Sequence, residues 1–260
     1  MSDLTINHCK AGFFSCCSVK LAKIVSYHNK YKRSPETINA TGLFDWYKPE
    51  GTTESIVEEY FELGPSSLRY RTWIHFEHYY QFISYKTFDL GPLQPFIKKY
   101  FAPSKQIQEI VGAMEQKYSI DYAKTFTVFY RGNDKVTEIP LGSYDDFVKK
   151  AKDVQATNPG WRCLVQSDET EFIERMLKEF PNALVFRDEI RHIKRSPETT
   201  VDKVSCRGDN FKYSKYFLAI TLIMARSAHI LCGTGNCSLW IALFREGTTR
   251  FEQFLDSKWI

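Results

Sequence analysis

The chain has no long apolar run. The closest approach, Tyr216 to Met224, ends before Arg226 and falls well short of the roughly 20 residues that cross a bilayer. The first ten residues, Met1 to Lys10, lack the basic start and apolar stretch of a secretory signal. Those two absences lead to the expectation of a cytoplasmic protein without a membrane span. Seven cysteines are present, but no Cys-x-x-Cys, and the odd number fits no regular disulfide framework. Reduced thiols are expected. No Gly-x-Gly-x-x-Gly follows a first strand, which disfavours a dinucleotide-binding dehydrogenase. His75 and His78 have no third ligand nearby and read as partly buried structural residues rather than a metal site. A large excess of either charge is lacking as well. A net charge of +4 suits anionic ligands such as a nucleoside diphosphate, but excludes a dedicated nucleic-acid binder.

What is present is an ordinary globular composition over 260 residues, with 15% aromatics. The most informative stretch is Thr125 to Glu138. Phe126 to Tyr130 is β-branched and aromatic, as suits a strand buried on both faces of a parallel sheet. Arg131 to Glu138 then packs two cations, two anions and a glycine into eight residues. Open α/β sheets bind ligands outside the carboxyl ends of their strands, which is where such a turn would lie. A solvated hairpin bend at Gly132-Asn133 is the plainer alternative.

The same theme recurs along the chain. Leu4 to His8 reads as a first strand, followed by a turn at Gly12 and a helix over Val19 to His28. Phe44, Trp46 and Tyr47 form an aromatic loop that either stacks on a sugar or packs beneath the turn; Tyr70 to Tyr85 is a second aromatic run. Ser104 is a candidate N-cap for a helix whose Ile107, Ile110, Val111 and Met114 share a face. Further strands are expected at 161–166, 183–186 and 229–232, and helices at 145–153, 170–179, 217–227 and 239–244. Residues 188–210 read as a polar surface loop. The Gly233-Thr-Gly-Asn236 turn before a helix is of the phosphate-cradling type. Repeated strand, polar turn and helix predict an α/β fold with parallel sheets.

Three stretches, in order, carry a family resemblance. Val128-Phe-Tyr-Arg-Gly-Asn-Asp-Lys-Val-Thr-Glu138 resembles the His-Val-Arg-Arg-Thr-Asp-Lys-Val-Gly-Thr-Glu motif of α1,6-fucosyltransferases and bacterial nodulation fucosyltransferases. Gln166 to Asn182 is similar to their second motif, Ala-Thr-Asp-Asp followed by a helix and Tyr-Pro-Asn. Ala228 to Ser238 is similar to their third. The match covers the C-terminal half. This chain has one residue fewer between Lys135 and Glu138, and it carries Phe129 and Gly132 where the family has histidine and a second arginine.

The resemblance implies a GT-B-like fold, two Rossmann-like domains facing a cleft. Residues 1–110 would form an acceptor-side domain and 111–245 a nucleotide-sugar domain. The tail 246–260 would pack back on the N-terminal domain. It further implies an inverting, metal-independent glycosyltransferase without cofactor, moving a sugar, first of all fucose from GDP-fucose, to a glycan hydroxyl. Its partners would be the donor and a glycan acceptor, with no nucleic acid. By the same resemblance Arg131 and Glu138 are catalytic, Arg131 holding the diphosphate and Glu138 serving as base. Asp134, Lys135, Asp168, Glu169, Gly235, Asn236, Cys237 and Ser238 would bind the donor, and Gly12, Phe13 and Phe14 would face the acceptor. The chain has no Asp-x-Asp, in keeping with a metal-free transferase. Two alternatives stand: another donor such as UDP-xylose, or a non-catalytic module that binds a sugar nucleotide or glycan.

Overall fold

In the computed structural model, residues 3–7, 9–65, 71, 73–204 and 207–260 are described. The expected ends of the first strand and of the aromatic run at His8 and Tyr70, and the seventh cysteine, Cys206, lie outside them. The elements, in order, are β1 (Leu4–Thr5), α1 (Phe13–Tyr31), β2 (Ile38–Asn39), β3 (Phe61–Glu62), α2 (Gln94–Tyr100), β4 (Ala102–Pro103) and α3 (Lys105–Tyr118). The C-terminal half continues with β5 (Thr125–Tyr130), α4 (Tyr144–Thr157), β6 (Arg162–Ser167), α5 (Thr170–Glu179), α6 (Val201–Val204) and α7 (Arg207–Arg226). It ends with β7 (His229–Cys232), α8 (Asn236–Arg245), β8 (Phe251–Leu255) and β9 (Lys258–Trp259).

The main sheet has the order β6-β5-β7-β8-β9. β6, β5, β7 and β8 run parallel, and only β9 returns antiparallel. β5 is buried at every residue, as its unbroken apolar run requires. The chain winds from β5 to β6 on one side, then crosses to β7 on the other. The strand order therefore reverses at β5 and leaves a crevice beyond the carboxyl ends of β5 and β7.

The strand expected over residues 183–186 is reduced to one parallel bridge, Leu184 to Leu164. Pro181 and Asn182 bring the chain beside β6 too briefly to build a ladder. In the N-terminal half, parallel pairing among the described residues is confined to β1 with β2 around α1, one small βαβ unit. β3 and β4 pair antiparallel. The second parallel sheet implied by the resemblance is thus two residues per strand; much of the intervening chain is 3₁₀ turn and aromatic packing.

Two helices begin well before the periodicity predicts. α1 starts at Phe13, directly after Gly12, because both phenylalanines at its start are buried. α7 starts at Arg207 rather than 217. Its polar first turns are laced to neighbours, with Asn210 donating to the carbonyls of Trp46 and Asp202. α3 runs unbroken across the expected boundary at residue 110, capped by Ser104, whose Oγ accepts from Ile107 N–H. One apolar core spans both halves: Trp240 of α8 lies against Phe14 and Phe101. The tail completes the main sheet as β8 and β9, and touches the N-terminal half through Gln253, which accepts from Tyr85 N–H and donates to the Ile83 carbonyl. Among the described residues, no helix is long and apolar enough to cross a membrane.

Candidate functional site

The crevice at the strand-order reversal opens into a cavity of about 400 Å³. Its walls come from the starts of α1 and α8, the turn after β5, the inner face of β5 and β6, and the segments 189–191 and 200–203. Several motifs far apart in sequence meet there.

The two helix starts form one end. Gly12 precedes α1 and Gly235 precedes α8, so the N-cap residue of neither helix has a side chain to cap it. Phe13 N–H donates to the Tyr47 hydroxyl at 2.7 Å, and Asn236 N–H donates to Gln81 Oε1 at 3.1 Å. The next two N–H groups on each helix, Phe14 and Ser15, Cys237 and Ser238, have no acceptor among the described residues. The Asn236 side chain binds the two starts together: it accepts from Ser18 Oγ at 2.8 Å and donates to Ser15 Oγ at 2.9 Å. Two helix N-termini with unpaired N–H groups on one cavity give a partial positive charge that favours an anion.

Arg131 follows β5 and is ion-paired to both Asp134 and Asp168. Burial works against its charge, yet the Asp168 and Asp134 carboxylates outweigh that, and the guanidinium is held protonated beyond its ordinary value. The turn is clamped to the end of β6. Gly132 N–H and the Asn133 side chain donate to the Asp168 carboxylate, and Asn133 N–H donates to Glu169. A Cβ at Gly132 would overlap the Glu169 carboxylate, so this close approach needs glycine and leaves no room for the arginine that the family motif carries. Asn133 sits at φ 48°, a left-handed conformation asparagine tolerates.

Lys135 is buried, donating to Gln81 Oε1 at 2.9 Å and to Glu138 Oε2 at 2.6 Å. Burial lowers its pKa, with Glu138 opposing. A Cβ at Gly235 would lie 3.3 Å from Lys135 Cε, so the turn before α8 is close against this lysine. Glu138 is the outermost of the group, its side chain 42% exposed at the mouth.

The structure brings Arg131, Asp134, Lys135, Glu138, Asp168, Gly235, Asn236, Cys237, Gly12, Phe13 and Phe14 to the cavity wall. Two expected donor contacts are corrected. Glu169 lies beneath the β5 turn, bound to Asn133 N–H and the Tyr144 hydroxyl, and is a brace for that turn. Ser238 is fully buried behind the α8 start. Asp168 reaches the wall, but both its oxygens are occupied by the β5 turn. The rings of Phe13 and Phe14 are buried in an aromatic cluster with Phe217, anchoring α1. Phe44 and Tyr47 are buried in the core, and both Trp46 and Tyr47 line the cavity. His75 and His78 are exposed rather than partly buried, His78 at the start of a 3₁₀ turn and His75 in the chain before it; His75 pairs with the Tyr80 hydroxyl. No group of three His, Cys, Asp or Glu among the described residues is placed to hold a metal.

Within the expected loop, segments 189–191 and 200–203 do more than cover the surface. Arg191 donates to Asn210 Oδ1 at 2.8 Å and pairs with Asp202 at 3.4 Å, folding them into a cavity wall. Burial raises the Asp202 pKa, opposed by Arg191. Sequence reading also passed over Gln81 and Gln166. Gln166 had a signal: it is the amide in an otherwise apolar run. Gln81 had none, being one residue in a long aromatic stretch. No protein-family model matches the chain, and no curated protein matches it.

Proposed function

We propose that the cavity binds the diphosphate of a nucleotide sugar and that the chain transfers the sugar to an acceptor hydroxyl as an inverting, GT-B-like glycosyltransferase. One observation carries the reading. Two helix N-termini, each preceded by a glycine and only partly satisfied by neighbouring side chains, converge with Arg131 and Lys135 on the crevice where the strand order reverses. In this reading the helix termini and Arg131 stabilise the charge that develops on the leaving nucleoside diphosphate, without a metal. Glu138 at the mouth accepts the proton of the acceptor hydroxyl. That oxygen attacks the anomeric carbon from the face opposite the diphosphate, and the bond to the diphosphate oxygen breaks. The motif resemblance favours GDP-fucose as donor.

The pairing of Arg131 with two carboxylates favours a second reading, a site that holds a nucleotide sugar without transferring it. Glu138→Gln distinguishes the two. Titration with GDP, UDP and their sugars measures affinity; product analysis with excess chelator present measures transfer. The expected result is nucleotide affinity unchanged and transfer reduced about a hundredfold, within the range for a lost general base. Full transfer by the glutamine variant removes Glu138 from the role. Binding without transfer by the unaltered protein favours the second reading.

A further inference from the structure

The inner half of the cavity has a different chemistry from its helix-terminus end. Phe129 of β5 and Gln166 of β6 are register partners and project from the same face of the sheet. Phe217 and Ile220 of α7 line the same space. Beside these three apolar side chains stands one amide. Gln166 is 4% exposed, and its buried Oε1 has no hydrogen-bond partner. An amide kept out of water without a partner is costly, and native interiors rarely leave one so. Here it borders a cavity, where a ligand can supply the missing bond.

We propose that this slot holds a nucleobase, with the Gln166 amide reading the base's hydrogen-bonding edge. The inference rests on the anion site proposed above. A glutamine amide offers one acceptor and two donors side by side, which complements the adjacent donor and acceptor on a base edge. A heterocycle offers apolar faces to Phe129 and to Phe217 and Ile220 of α7, which line the same cavity. A pyranose ring would bring several hydroxyls into walls that offer few partners for them. Gln166 lies one strand across and two residues along from Arg131, roughly 8 Å by strand geometry, a span that a ribose bridges between base and phosphate. The site then selects nucleoside diphosphates over bare diphosphate, with Gln166 setting the selection and the helix termini setting the anion affinity.

Calorimetric titration with inorganic pyrophosphate, GDP and UDP tests this on the whole chain, alongside Gln166→Leu and Gln166→Met. The unaltered protein is expected to bind at least one nucleotide about tenfold more tightly than pyrophosphate. Each variant should lose about that factor for the nucleotide, as expected for one buried hydrogen-bonded contact, and keep pyrophosphate affinity within about twofold. Methionine keeps the side-chain length should leucine disturb folding. Nucleotide and pyrophosphate binding equally well to the unaltered protein overturns the base slot and leaves the anion site standing. So does a variant that loses both ligands in equal measure, or neither. Failure of the unaltered protein to bind any of the three ligands overturns the anion site and the base slot together.

Discussion

Lys20 lies on α1 with its ammonium in the aromatic core. It is 4% exposed, donates to the Tyr100 carbonyl at 3.0 Å, and stands over the Phe101 ring at 4.6 Å. Burial pulls its pKa from 10.5 down to about 8, with Cys17 and Glu58 opposing. That difference corresponds to about 3 kcal/mol against the folded, protonated state. Below pH 8 the penalty is present in full. Between 8 and 10.5 the folded state binds fewer protons than the unfolded chain, so stability contributed by this group rises with pH. Lys20→Met lacks the titration. Urea unfolding of both proteins at several pH values from 7 to 10.5 should show the lysine form gaining on the methionine form by up to about 3 kcal/mol, most of it above pH 8. Parallel pH profiles would mean that water or a rearranged partner already solvates Lys20 in the fold.

Among the elements, the turn after β5 depends on the end of β6. Asp168 and Glu169 together hold Arg131, Gly132 and Asn133, and Tyr144 at the start of α4 holds Glu169 from the other side. Gly132→Ala drives a methyl into the Glu169 carboxylate. The expected cost is roughly 1–3 kcal/mol, as for an overpacked interior. The pyrophosphate affinity should fall too, because Arg131 is displaced with the turn. An alanine variant with unchanged melting temperature and affinity would show that the turn is looser than its contacts imply. The strands that build this arrangement were legible, since β5, β6 and β7 are apolar runs ending in charged or glycine-rich turns. The clamp was not. Asp168 and Glu169 carry the same charge and adjoin in sequence just beyond β6, yet one reaches the cavity and the other lies beneath the turn. The wall at 189–203 was also hidden, because Arg191 and Asp202 act through ion pairing and not through a periodic pattern.

At the scale of the molecule, the interface between the halves is core rather than a hinge. Trp240 of α8 is fully buried, with its ring centroid 6.1 Å from that of Phe14 and 4.6 Å from that of Phe101, and its indole N–H donates to Ser18 Oγ at 2.9 Å. Tyr85, from the N-terminal half, donates to the Gly235 carbonyl and accepts from Gly235 N–H, so it supports the turn that starts α8. α3 crosses the expected boundary and packs on α7. A C-terminal fragment from residue 111 would cut α3 and uncover Trp240, along with the apolar face of α8. The halves should therefore unfold together. In urea, tryptophan fluorescence and far-ultraviolet circular dichroism should trace one coincident transition, and pyrophosphate should shift it as a whole. The isolated fragment 111–260 should lack a cooperative transition. Two separated transitions in the whole chain, or a fragment that melts sharply alone, would make the halves independent domains and the cavity between them an interface free to open and close.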